Sequence, residues 1–488
     1  MSKAWTRSFN RRQFIADMVA AGCGAFYFSQ IASPYASLAR SGKRPNILVG
    51  MADDWSWPHA STAGAAVNTP TFDRMAREGV LFENAFATAP SCTPSRAAIL
   101  TGQWHWRLEQ GANLWGTLPA EYPVYPDLLE QSGYHVGYCG KGWGPGRVKP
   151  GGRTRNPAGR KYRSFDHFLK ARPPATPFCF WFGSHDPHRF YGPRTRILNP
   201  VDPSAITVPP YLPDTAAVRK DLARYYFEVQ RFDSDFGVML DVLELMGELD
   251  NTLVIMTSDN GMPFPRCKSN LYDGGVQVPL VMRWGDRGKR TTRVQGMVSL
   301  CDLAPTILDA ADVSVPPQCN GSSLLPAVTG SKAAHECCRE YVLTGKERHI
   351  PAQAEPYAGY PMRALRTDDF LYIRNFRPDR WPAGIPPKYR DVDTSPSKKY
   401  LLANRGTPSV NRLFQLAFAK RPPEELYDLR NDPWQMENVV ARQPYQAVRQ
   451  RLADKLREAL TASGDPRALG NGDVFDSYAY YMLKNVSQ

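Results

Sequence analysis

Four short runs, 46–51, 178–182, 252–257 and 279–282, are apolar almost without interruption. Arg44-Pro45 introduces the first and the Asp250-Asn251 turn the third. A run that does not alternate with polar residues reads as a strand buried on both faces. Helical patterns lie between them: 71–79, opened by Thr69-Pro70; 126–133, leading into a strand at 135–138; the long amphipathic stretch 215–245; and 304–311. Strands alternating with helices predict an α/β fold, a mainly parallel central sheet flanked by helices. At 488 residues the chain is too long for one ordinary core. A large domain over 44–330 is expected, followed by a smaller α+β domain over 331–488. There the segments 351–361 and 377–389 are rich in Pro, aromatic and charged residues, a strand-like piece spans 370–373, and a final helix spans 445–460. The long loops of this part read equally as substrate-binding elements or as peripheral wrapping.

The first 39 residues have a separate logic. Ser8-Phe9-Asn10-Arg11-Arg12-Gln13-Phe14-Ile15 is a twin-arginine pattern, followed by apolar residues and by Ser37-Leu38-Ala39 at the cleavage positions. Residues 1–39 are therefore read as a Tat-type signal peptide, which implies the Tat export machinery and a periplasmic or secreted enzyme. Ala21-Gly22-Cys23 is similar to a lipoprotein cleavage site, but the apolar stretch before it is short, which speaks against a lipid anchor. No later run approaches the roughly 18 apolar residues of a membrane span. The formal net charge of +13 favours an anionic partner. A sulfated polysaccharide, nucleic acid or a membrane surface would each suit that charge, as would a basic surface that serves solubility alone; the basic residues are scattered and no motif for reading DNA or RNA is present, so nucleic acid is discounted.

Two oxygen-rich clusters fall where strands end. Asp53-Asp54 follows the first apolar run, and Asp259-Asn260-Gly261 follows the third. In open α/β sheets ligands bind beyond the carboxyl ends of the strands. Three carboxylates and an amide are hard oxygen ligands, suited to Ca²⁺ or Mg²⁺. Either pair alone also reads as a turn or a helix cap; both together, in a chain with the next motif, favour a metal. That motif is Cys92-Thr93-Pro94-Ser95-Arg96, with Leu100-Thr101-Gly102 behind it. Thr93-Pro94 is a natural helix opening, with Pro at the first helical position, so Cys92 sits beside a helix N-terminus that attracts anions. Lys141 in Gly140-Lys141-Gly142-Trp143 and Lys268 in Lys268-Ser269-Asn270-Leu271-Tyr272 are candidate cations. His185 and His188, in Ser184-His185-Asp186-Pro187-His188 just after a strand, are candidate acids or bases, and His185 is preferred as the acid.

The order Asp53-Asp54, Cys92 to Arg96, Lys141, His185, Asp259-Asn260, Lys268 resembles that of the sulfatase family. Ser258 to Pro265, His185 to Arg189, Tyr360 to Arg363 and Glu425 to Asp428 are similar to segments of its heparan sulfamidase branch. The resemblance implies an alkaline-phosphatase-like large domain and a cysteine, Cys92, converted to formylglycine by a formylglycine-generating enzyme. It implies one Ca²⁺ held by Asp53, Asp54, residue 92, Asp259 and Asn260, with Arg96, Lys141, His185 and Lys268 as catalytic groups. The substrate implied is a sulfated carbohydrate, with N- or O-linked sulfate on an acidic glycan. The alternatives are a phosphonate monoester hydrolase or phosphodiesterase on the same scaffold, or a non-catalytic glycan-binding relative. One position departs from the family. Its Gly-Lys-x-His pattern has Trp143 here in place of histidine, which leaves open which group regenerates the aldehyde; His188 is one candidate.

Overall fold

The computed structural model of the protein describes residues 44–192, 195 and 198–482; the leader read from residues 1–39, with Cys23, lies outside them. Eight strands form one sheet: β1 (Asn46–Ala52), β2 (Val80–Phe86), β3 (His135–Gly140), β4 (Arg160–Lys161), β5 (Phe178–Gly183), β6 (Thr252–Ser258), β7 (Gln277–Arg283) and β8 (Thr292–Ser299). Their order is β4-β3-β5-β1-β6-β7-β2-β8. β1 lies at the centre, parallel to β5 on one side and to β6 on the other. Within this sheet β7 alone runs against its neighbours.

The uninterrupted apolar runs are explained by this placement. Ile47, Val49 and Met51 point into a core on one face of the sheet, and Leu48 and Ala52 into a core on the other. The helices that matter below are α1 (Pro70–Glu78), α2 (Cys92–Thr101), α3 (Tyr125–Gln131), α4 (Ala216–Leu245), α5 (Leu303–Ala310), α6 (Pro396–Ala403) and α7 (Gln446–Ala462). α4 packs through Phe232 and Phe236 on the face carrying Leu48, and α5 through Ile307 and Leu308 on the opposite face. Strands β2 and β8 carry no comparable sequence signal. β8 is an edge strand with half of its residues partly exposed, and the pairing of β2 with both neighbours shifts register near Glu83 and Asn84.

A second, four-stranded antiparallel sheet has the order β12-β11-β10-β9, with β9 (Val342–Lys346), β10 (Met362–Arg366), β11 (Phe370–Asn375) and β12 (Glu424–Asp428). One face packs under α7 through Leu452, Leu456 and Leu460. The other face shares a core with the large sheet, where Met362, Ala364 and Leu371 meet Phe86, Leu271 and Met297. The long loops then return to the large layer. Ser397, in α6, donates from its backbone N–H (3.2 Å) and its Oγ (2.7 Å) to the buried Asp221 of α4.

A buried pocket at the strand ends

Lys141 follows β3, His185 follows β5, Asp53-Asp54 follows β1 and Asp259-Asn260 follows β6. These four strands are consecutive neighbours, so residues far apart in sequence arrive at one sheet end. Backbone hydrogen bonds carry the parallel ladder past the last strand residues: Asp53 N–H to Asp186 O (3.0 Å), Asp259 N–H to Ala52 O (3.2 Å) and Lys141 N–H to Gly183 O (2.7 Å). That last approach needs glycine. A Cβ on Gly183 would stand 1.6 Å from the carbonyl oxygen of Lys141, and one on Gly140 (φ +69°) would stand 2.0 Å from the oxygen of Gly183.

Cys92 enters from α2, every residue of which is buried. The helix begins at Cys92 itself, with Ser91 as its N-cap. Pro94 is therefore the third helical residue, not the first as the sequence implied. It is tolerated there because the first N–H groups of a helix have no intrahelical acceptor. Ser95 donates from Oγ to the carbonyl oxygen of Asp259, tying the start of α2 to the end of β6. The Lys268 loop is pinned to the same place by Ser269 N–H donating to Pro90 O (2.8 Å).

The side chains interlock. Lys141 Nζ donates to both oxygens of Asp53 at 2.7 Å. Lys268 Nζ reaches Asp54 Oδ2 at 2.7 Å, and Asn260 Nδ2 reaches Asp54 Oδ1 at 2.7 Å. Arg96 donates from Nε to Asp259 Oδ2 (2.7 Å) and from Nη1 to the carbonyls of Lys141 and Gly142 (both 2.9 Å). Asp259 Oδ1 accepts from the Asp54 N–H at 3.1 Å. Cys92 Sγ lies 3.4 Å from Asp53 Oδ1. Asp53, Asp54, Cys92 and Asp259 are all buried and bring one ligand atom each within 4.8 Å of the others.

Asp53, Asp54 and Asp259, all buried, thus face Lys141, Lys268 and Arg96, and the shifts at Asp53, Asp54, Cys92 and His185 follow from their neighbours. Burial raises Asp53, but Lys141, His188, Arg96 and Lys268 outweigh it and hold the carboxyl well below its usual range. Asp54 is raised, first by burial, with Lys268 and His188 opposing and the charges of Asp53 and Asp259 adding to the rise. Burial pushes the Cys92 thiol up, so that the side chain as encoded is neutral and is neither a nucleophile nor a ligand for a hard cation. His185 is exposed at the rim. Desolvation lowers it, Asp53 opposes, and Lys141 and Arg96 add to the lowering.

The donor set fits a hard divalent ion on one further observation. Asn260 Oδ1 is buried and has no hydrogen-bond partner, while Asn260 Nδ2 is bonded to Asp54. An acceptor left orphaned beside three carboxylates is costly unless a cation meets it.

The structure also places two residues that the sequence did not single out. His349 Nδ1 lies 2.8 Å from Ser91 Oγ, at the cap of α2. Asp393 Oδ2 lies 3.6 Å from Lys268 Nζ. Both come from the long loops after Gly345, whose composition shows only that they are loops. His188 Nε2 is 3.9 Å from Asp54 Oδ2. Trp143 is 5% exposed and belongs to the core under the sheet, its backbone held by Asn156 through bonds of 3.0 and 2.9 Å.

The site is thus a buried acidic pocket at the carboxyl end of a mainly parallel sheet, the position where open α/β folds bind their ligands. Residues 45–146 and 159–313 match the family described as Sulfatase. The chain is 30% identical over 479 residues to human N-sulphoglucosamine sulphohydrolase, covering 86% of this chain and 91% of that protein. It is 27% identical over 488 residues to an ulvan-active sulfatase of Formosa agariphila, covering 89% and 78%. Among solved structures, a protein in complex with its substrate D-glucosamine-2-N,6-O-disulfate aligns with a TM-score of 0.61 at 20% identity, over 87% of this chain and 99% of that one. The phosphonate monoester hydrolase of Agrobacterium radiobacter aligns with a TM-score of 0.64 at 19% identity, over 86% and 96%. The chain belongs to the sulfatase family and is a sulfuric ester hydrolase.

Proposed function

We propose that the protein removes sulfate from an N- or O-sulfated sugar of heparan type, using formylglycine made from Cys92 and a Ca²⁺ or Mg²⁺ ion. The observation that carries this reading is the single buried cluster of Asp53, Asp54, Asp259 and the orphaned Asn260 Oδ1 around Cys92. These residues would hold the ion. It would polarise the oxygen of the oxidised, hydrated residue 92, making it a nucleophile near neutral pH.

The remaining work falls to the protein's own groups. With Asp393 beside Lys268, four carboxylates face three cations, so a divalent ion would turn the excess of negative charge into a net positive one, which suits an anionic sulfate. Lys141 and Lys268 supply the donors for the outer sulfate oxygens. Arg96 holds Asp259 and the Lys141-Gly142 backbone in place. His185, at the rim, donates a proton to the nitrogen or oxygen of the sugar as its bond to sulfur breaks. Trp143 has only an indole N–H donor and is buried, so it cannot take the proton from the hydroxyl of residue 92 when sulfate departs. His188, 3.9 Å from Asp54, is the group we assign to that step.

Residues 44–330 would form the catalytic domain. Residues 331–488 would form the smaller one, which delivers His349 and Asp393 to the pocket. A formylglycine-generating enzyme would mature residue 92, and the twin-arginine leader would direct export. Relatives support the substrate class, since the human protein is named for N-sulphoglucosamine and a solved neighbour holds a glucosamine N,O-disulfate.

The decisive experiment pairs mass spectrometry of the residue-92 peptide from the native host with sulfate release from glucosamine N-sulfate and 6-O-sulfate. An aldehyde at position 92, and turnover lost in Cys92→Ala with the fold retained, are expected. Turnover retained in Cys92→Ala would overturn the mechanism. The shared fold with a phosphonate monoester hydrolase keeps one second reading. Phosphonate and sulfate esters of one phenol separate the two, and a faster phosphonate reaction would reverse the assignment.

A further inference from the structure

The loop between β11 and α6 brings to the pocket one carboxylate to which no step above gives a role. Asp393 Oδ2 stands 3.6 Å from Lys268 Nζ. Its place is imposed from both sides. Lys346, at the end of β9, donates from Nζ to Asp391 Oδ2 at 2.9 Å, and Asp391 Oδ1 accepts from the Ile350 N–H at 3.3 Å. Lys398 donates from Nζ to the carbonyls of Tyr389 (2.8 Å) and Val392 (2.7 Å). Just beyond Asp393, Ser395 caps α6, its Oγ accepting from the Lys398 N–H at 3.0 Å. Lys346 and Lys398 are both buried. A buried ammonium is costly unless its bonds are met, so two of them tied to this loop fix its course.

Asp393 is not needed to pair Lys268. That ammonium already donates to Asp54 Oδ2 at 2.7 Å, and 3.6 Å is too long for a hydrogen bond. Nor does Asp393 belong to the group of ligand atoms gathered around Cys92. Its Oδ2 is buried without a hydrogen-bond partner. The side chain is nevertheless 29% exposed, so its open edge is the one that carries Oδ1. Burial raises the carboxyl, but Lys268, His188, His349 and Arg189 outweigh it and keep it charged. Beside a site for an anion such a charge is a liability, because it offsets Lys268 and repels sulfate. The liability is relieved when the substrate brings a donor to Oδ1.

We propose that Asp393 is a specificity-determining residue, whose Oδ1 accepts a hydrogen bond from the sugar hydroxyl next to the sulfate that is removed. The inference rests on the sulfatase reading above and deepens it. With Lys268 donating to a sulfate oxygen, the group that meets Asp393 is a ring neighbour of the sulfated atom. On glucosamine N-sulfate that neighbour is the 3-hydroxyl. An ionised carboxylate only accepts, so it attracts a hydroxyl there and repels a second sulfate.

Binding is measured by calorimetry on Cys92→Ala protein in buffer with calcium, so that turnover does not intrude. The sugars are glucosamine N-sulfate, its 3-deoxy analogue and glucosamine N,3-O-disulfate. The N-sulfate is expected to bind about tenfold tighter than either of the others, as suits a hydrogen bond to a charged acceptor. Adding Asp393→Ala should bring the N-sulfate and the 3-deoxy sugar within about twofold of each other and should remove the bias against the disulfate. Asp393→Asn, which keeps the shape and a neutral acceptor, should restore part of the preference for the 3-hydroxyl and little of that bias. If Asp393 served only to hold Lys268, Asp393→Ala would weaken all three sugars alike, and that result would overturn the proposal. So would a preference for the N-sulfate over the 3-deoxy sugar that survives Asp393→Ala, or no binding of the N-sulfate at millimolar concentration. Turnover by the Cys92-intact protein without this coupling would remove only the role of Asp393, and coupling without turnover only the catalytic reading.

Discussion

The closest backbone approach at the site makes Gly183→Ala the most informative single change. The added Cβ would meet the Lys141 carbonyl oxygen at 1.6 Å, and contacts under 3.0 Å are essentially never seen, so β5 and the Lys141 loop must separate by about 1.4 Å. That carbonyl is the acceptor for Arg96 Nη1 (2.9 Å) and for Trp181 Nε1 (3.0 Å). One charged and one neutral hydrogen bond would be strained together, a loss of about 3 kcal/mol if both break. The same shift moves Lys141 away from Asp53. Misplacing a positioning group by about 1 Å costs on the order of 10²-fold in rate. The expected outcome is kcat/KM for sulfate release reduced by about 10²-fold or more, and a urea midpoint lowered in keeping with about 3 kcal/mol. Gly406→Ala, where the new methyl meets nothing within 4 Å, serves as the control and should change neither. Wild-type kcat/KM in Gly183→Ala would refute the reasoning, since it would mean that the β3–β5 end does not set the position of Lys141.

Arg363 is wholly buried and is bonded to Asp465 (2.7 and 3.0 Å) and Glu347 (2.7 Å); Glu347 also holds Arg467 at 2.8 Å, so Arg363→Met should leave the buried Asp465 short of its cation. The expected loss is about 3–5 kcal/mol by denaturant unfolding, and a loss under about 1 kcal/mol would contradict this pairing. Burial holds His59 at about 4 in the folded chain, below the 6.5 of a free histidine. The unfolded chain therefore binds the proton first as pH falls. The stability His59 contributes is complete above pH 6.5 and is lost toward pH 4, by about 3 kcal/mol in all. Urea unfolding at pH 7 and pH 4.5 should show this fall, His59→Gln should flatten it, and an unchanged slope would count against it. Calcium at 100 times its dissociation constant should stabilise the matured protein by about 2.7 kcal/mol. Asn260→Leu, which removes the orphaned oxygen, should weaken that response in a thermal melt.

Much of the scaffold was legible because its signals are local. The runs at 46–51, 178–182 and 252–257 became β1, β5 and β6 with one residue added at the end of each, and 215–245 became α4. Apolar continuity and helical periodicity survive in a single sequence because each element meets the core through its own side chains. β2 and β8 were not legible, since a register shift and an edge position mix polar with apolar residues. The start of α2 was misjudged because Pro94 signals a helix opening without specifying which of the first positions it occupies. Its true start puts Cys92 inside the helix.

At the pocket, residue chemistry named Asp53, Asp54, Cys92, Arg96, Lys141, His185, Asp259, Asn260 and Lys268, since each stands in a short motif, all but Lys268 at a strand or helix end. What those motifs could not convey is adjacency. The order β3-β5-β1-β6 brings Lys141, His185, Asp53 and Asp259 to neighbouring strand ends, and long-range pairing alone sets that order. His349 and Asp393 come from loops with no periodic signal, and only the packing of the small sheet and α6 against the large layer carries them in. Trp143 shows the limit from the other side: it stands in the motif that carries Lys141, yet the fold buries it in the core. Local pattern determined which elements form and which residues carry suitable chemistry. Tertiary packing decided which of them share a pocket, because charges and close backbone contacts act through space and not along the chain.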